Sequence, residues 1–144
     1  MRVRMKKLIF PAILLVATVF GPVRAGAEEK DTPLAKEMEK LNDVYKSFKK
    51  ETDSAKGAAS AREAQGFVLK GITMTPEMLE KMPAGEEKEK ALAKYKAQMG
   101  KLYVSLCEVE SAYLAKDMPA VAKLVDTLKG QKKEGHEAFM EEEK

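Results

Sequence analysis

Residues 86–114 read EEKEKALAKYKAQMGKLYVSLCEVESAYL. The bulky apolar positions Leu92, Tyr95, Met99, Leu102, Leu106, Val109 and Tyr113 alternate in steps of three and four without a break. An α-helix completes a turn every 3.6 residues or so, and it is the element that keeps such a series on one face. A helix this long with one apolar side needs partners to cover it.

The flanking segments supply them. Upstream, Thr32 and Pro33 form an N-cap and first-turn pair, and Leu34, Met38, Leu41, Tyr45 and Phe48 continue as a helical stripe. A second stretch, from about Ser54 to Met74, is lined with small residues at Ala55, Ala58, Ala61 and Ala64, then with Phe67, Val68, Leu69 and Ile72. Its small half would let a neighbouring helix approach closely. Thr75-Pro76 restarts a short helical turn that Pro83-Ala84-Gly85 breaks. Downstream, Asp117 caps a last stretch with Pro119 in its first turn, and its stripe runs Val121, Leu124 or Val125, Leu128, Lys132, Gly135 or His136, and Phe139. No segment alternates with period two. The reading is an all-α chain, an antiparallel up-down-up-down four-helix bundle spanning residues 28–144.

The first residues are an address. Arg2, Arg4, Lys6 and Lys7 precede the 13-residue apolar run Leu8 to Phe20, and Ala25-Gly26-Ala27 offers a small-residue cleavage site. The run is short of the roughly 20 apolar residues that cross a bilayer, so residues 1–27 read as a signal peptide and the mature chain as free of a membrane anchor. Losing residues 1–27, with Arg2, Arg4, Lys6, Lys7 and Arg24, leaves 21 basic against 23 acidic side chains, a net charge of −2. The whole-chain excess of +3 therefore vanishes on cleavage, and nucleic acid is not an expected partner. The expected compartment is the periplasm.

One Cys and one His in 144 residues exclude internal disulfides, CxxC redox pairs, thiolate zinc sites and HExxH. No nucleophile–base pair and no phosphate loop can be drawn, so enzymatic catalysis is not expected. Cys107, beside Glu108 and Glu110, reads as an inert, partly buried thiol. Met74, Met78 and Met82 follow an i, i+4, i+8 spacing that would suit Cu(I) on one helical face, or simply a lid over the bundle end. A haem-free bundle that binds copper there, or serves as an interaction or chaperone module, is the alternative reading.

In an up-down-up-down bundle the start of the first helix meets the end of the last. Met38 lies six residues after Thr32, and His136 stands at a matching distance from the other terminus. At about 1.5 Å rise per residue both sit about 8 Å from the same end. Phe67, Val68 and Ile72 from the second helix and Tyr95 and Met99 from the third are expected at that level. Such a setting suits a flat apolar cofactor held between two axial ligands. Imidazole and thioether on a haem iron would fill both axial positions and favour the ferrous state. Gly135, beside the histidine, would leave room for a macrocycle edge. Taken singly, Met38 is also ordinary core filler and a lone helical His an ordinary surface residue.

The segments EMEKLND (37–43), LAKDMPAVAKLV (114–125) and LKGQKKEGHEAF (128–139) resemble the cytochrome b562 family, most closely at the two ends of the mature chain. The resemblance implies one non-covalent haem b per subunit, Met38 and His136 as axial ligands, and a monomeric periplasmic electron carrier whose redox partners are unidentified. It departs from the family pattern at Lys132, one turn before the histidine, where an Arg near a haem propionate is expected and lysine would act as a point charge. Residues 74–85 do not match in detail.

Overall fold

The computed structural model describes residues 31–140. The expected signal segment, residues 1–27, lies outside them. The described residues form α1 (Pro33–Phe48), α2 (Ser54–Ile72), a short α3 (Glu77–Glu80), α4 (Glu86–Leu114) and α5 (Met118–Phe139), and they contain no strand. The four long helices make the antiparallel bundle expected from their stripes.

Side chains start three of the four long helices. Thr32 Oγ1 accepts from the Ala35 amide at 3.1 Å, Asp53 from that of Lys56 at 2.9 Å, and Asp117 from that of Ala120 at 3.0 Å. Each satisfies an amide that the helix itself cannot, a contribution of about 1 kcal/mol per cap. Between α4 and α5 the chain reverses within three residues. Lys116 takes a left-handed φ of 56°, and the Asp117 amide donates to the Ala112 carbonyl at 2.9 Å.

At the end where α4 meets α5 the bundle is tightly closed. Tyr113 is fully buried, packs against Phe48 with ring centroids 6.1 Å apart, and donates its hydroxyl to the Phe48 carbonyl at 3.4 Å. Its ring occupies the notch left by Gly57, where any Cβ would overlap it. Ala58, Ala61 and Ala64 line the same seam and are buried, so α2 lies close along α4. Ala55 faces solvent and takes no part.

The opposite end is looser. α1 packs along α2, α2 along α4, and α4 along α5, while α1 and α5 barely touch. The bundle is therefore open along one side at this end. The connection after α2 departs from expectation. That helix stops at Ile72 rather than Met74, and the helical turn after Pro76 spans Glu77–Glu80 alone. Leu79, almost fully buried, plugs the segment into the core, and Lys88 Nζ ties it down through the Glu80 and Met82 carbonyls.

Candidate cofactor site

A cavity of about 420 Å³ lies between α1 and α5, floored by α4 and capped by Pro76 and Glu77. That is within the 300–1,000 Å³ or so typical of cofactor pockets. Leu34, Met38, Leu41 and Tyr45 face it from α1. Tyr95, Met99, Leu102 and Leu106 face it from α4, and Leu128, Lys132, Gly135, His136 and Phe139 from α5. The lining is mostly apolar, as a large uncharged ring system requires.

The register of α1 against α5 is marked by one contact across the open side. Lys132 Nζ donates to Asn42 Oδ1 at 2.6 Å. One turn from Asn42 toward the start of α1 stands Met38, and one turn from Lys132 toward the end of α5 stands His136. A thioether and an imidazole thus enter one cavity from facing helices at one height. His136 stands at the exposed edge of the cavity, where the desolvation it does undergo first, and the Lys132 ammonium second, hold its imidazole below its usual pKa. Both effects favour the neutral, metal-binding form.

Tyr95 and Phe139 form the aromatic corner of the site, edge to face with centroids 5.4 Å apart. Tyr95 donates its hydroxyl to the Gly71 carbonyl at 2.7 Å, and burial pushes its phenol up to about 12. Gly135 borders the cavity with nothing within 4 Å of where its Cβ would stand. Three buried polar atoms of lining residues, Tyr45 Oη, Glu77 Oε2 and Gln131 Oε1, have no hydrogen-bond partner among the described residues. Tyr45 can donate, and Glu77 and Gln131 can accept, so the residues around the cavity keep hydrogen-bonding capacity that a group with polar edges could use.

Phe67, Val68 and Ile72, expected in the lining, are not part of it. Val68 is fully buried in the core, while Phe67 is half-buried beneath the ammonium groups of Lys40 and Lys70, 5.8 and 5.9 Å from its ring. The helix that carries them stands diagonally opposite α5, so its apolar face goes to α1 and α4. Tyr45, Leu128 and Phe139 lie on the stripes of the first and last helices and were identifiable as apolar-face residues. Asn42 and Gln131, polar residues beside those stripes, gave no such signal.

Met74, Met78 and Met82 do not share a helical face. Met74 lies in the bend after α2, Met78 in α3 and Met82 beyond it, and none lines the cavity. Cys107 is half-buried, away from the cavity. No group of three or more His, Cys, Asp or Glu among the described residues could hold a metal ion. No helix among them is long and apolar enough to cross a membrane.

Fold and site together define a helical-bundle protein with an apolar pocket between its first and last helices, lined by the methionines Met38, Met99 and Met140 and by His136. The Cytochrome b562 family model matches residues 33–140, and the chain belongs to that family, whose members are haem-binding electron-transfer proteins. No curated protein and no solved structure matches the chain.

Proposed function

We propose that this chain is a periplasmic electron carrier that binds one haem b without covalent attachment, with Met38 and His136 as its axial ligands. The observation that carries the proposal is the apolar cavity of about 420 Å³ that Met38 and His136 both line from facing helices. The donor set fits the group. Imidazole and thioether are the ligands of six-coordinate electron-transfer haems, and the rest of the lining supplies packing for a macrocycle.

When bound, haem supplies a one-electron iron couple that the soft sulfur biases toward the ferrous state. His136 would present a neutral nitrogen, favoured by desolvation at the cavity edge and by Lys132. Met38 presents sulfur from the opposite helix. With both ligands supplied by the protein no coordination position is left for substrate, which suits transfer of electrons and not bond chemistry. Lys132, at the open side, offers a point charge to an anionic substituent, and Gly135 leaves room beside the histidine. A single Cys rules out two-thioether attachment, so ligation and packing hold the group.

The signal-like residues 1–27 support the periplasmic assignment. The mature chain acts as a monomer without a membrane anchor and exchanges electrons with periplasmic redox partners. Haem titration of the wild type, Met38→Ala and His136→Ala tests the ligand set. The wild type gives a low-spin spectrum and each single variant loses it. An unaltered low-spin spectrum in either variant would overturn the assignment.

A further inference from the structure

α2 carries a buried glycine, Gly71, in its last turn, although glycine costs about 1 kcal/mol relative to alanine within a helix. The surroundings give the reason. A Cβ at Gly71 would stand 2.8 Å from Met99 Cε, 2.9 Å from Met38 Cε and 3.3 Å from Leu34 Cδ1. Carbon atoms in favourable contact stay about 3.5–4.0 Å apart, so the first two contacts could not persist. The ends of two methionines, one from α1 and one from α4, thus share a notch that exists because Gly71 has no side chain. Gly66, Gly100 and Gly130 have no neighbouring atom within 4 Å of a Cβ, and the other crowded glycine, Gly57, meets the Tyr113 ring at the closed end, so the methionine notch is particular to Gly71 among the described glycines.

The notch is also anchored from behind, since Tyr95 Oη donates to the Gly71 carbonyl at 2.7 Å. A methionine side chain has three rotatable bonds beyond the backbone and, left alone, places its sulfur loosely. With its methyl seated against a fixed backbone, the sulfur of Met38 has a defined position at the cavity wall.

We propose that Gly71 is a positioning residue for the axial methionine: the notch it leaves, shared with Met99, sets where the Met38 sulfur stands relative to the iron. This rests on the haem reading above. Gly71→Ala forces the two flexible methionine ends to move while the backbone stays, so the helices form but the Met38 sulfur is displaced. Weakened sulfur ligation removes part of the bias toward the ferrous state.

Three readouts test the proposal on the mature full-length chain. In the haem-free protein, Gly71→Ala shifts the ε-methyl NMR signals of Met38 and Met99 while helicity and cooperative melting are kept. In the haem-loaded protein, Gly71→Ala lowers the reduction potential and weakens the far-red thioether-to-ferric-iron band. Adding Met99→Ala to Gly71→Ala returns both toward wild type, because the new methyl replaces the volume that Met99 vacates. Unchanged methyl signals, potential and band in Gly71→Ala would overturn the proposal, as would a double variant no closer to wild type than the single one. Should Gly71→Ala fail to fold, Met99→Ala alone probes the same notch: freeing the Met38 end must alter band and potential, and their constancy would overturn it. A wild-type chain that gives no low-spin spectrum would instead overturn the ligand reading itself, and the proposal with it.

Discussion

Lys132 Nζ donates to Asn42 Oδ1 at 2.6 Å and joins α5 to α1 on the side where these helices otherwise barely meet. α1 and α5 run antiparallel, so a step of one turn from each partner toward the open end arrives at Met38 and His136 together. The same lysine lies 5.8 Å from the Tyr45 ring centre and contributes to the depressed pKa of His136. One side chain thereby marks the register of the site and tunes the His136 imidazole.

Lys132→Ala removes a charge that disfavours protonation of His136. The imidazole pKa in the haem-free protein should rise toward its ordinary value, as read by NMR titration of the ring protons. The residue is exposed, so stability should change by less than about 1 kcal/mol in denaturant melts. A pKa that falls would contradict the assigned role of the lysine.

Gly135→Leu replaces a poor helix former by a good one at a position with no atom within 4 Å of its Cβ. Haem-free stability should stay level or rise, up to about 1 kcal/mol from helix propensity. The side chain takes space beside the cavity, so haem affinity should fall at least tenfold in a titration. Equal affinity in both proteins would mean that the group does not approach this edge.

Acid should release the cofactor and weaken the fold through the same residue. The folded-state pKa of His136 lies below its unfolded value of about 6.5, so the unfolded chain binds the proton more readily. Its contribution is present above the unfolded value and is lost as pH falls through the folded one. If His136 holds the iron as proposed, protons would compete for the same nitrogen, and haem affinity should fall steadily on acidification below neutrality. His136→Gln should remove this histidine component from the pH dependence of haem-free stability.

Gly57→Ala should destabilise the closed end by about 1–3 kcal/mol, the usual cost of overpacking, because the Tyr113 ring fills the notch and is itself fully buried. Chemical denaturation measures it. A neutral change would show that the α2–α4 seam yields more readily than its packing implies.

The helices are legible in the sequence wherever a stripe and a cap agree. The steps from Leu92 to Tyr113 define α4, and Thr32-Pro33 and Asp117 mark the starts of α1 and α5. Counting from helix ends also brings Met38 and His136 to one height, since rise per residue is nearly constant. Counting gives height but not direction around the bundle axis. Phe67, Val68 and Ile72 stand near the right height and on the wrong helix, because which pair of helices is left open depends on packing. The small residues of α2 draw it tightly onto α4, and the gap falls between α1 and α5 instead. The methionine spacing at Met74, Met78 and Met82 misleads for a different reason. A period of four matters only within a continuous helix, and the chain leaves α2 at Ile72 before Pro76 starts a new turn.

The most direct test of the central claim is the absorption spectrum of the mature protein purified from a periplasm, oxidised and then reduced with dithionite. A Met38/His136-ligated haem predicts sharp low-spin ferrous bands on reduction, present as purified or after titration with haem. A colourless protein that develops no such bands when haem is added would contradict it.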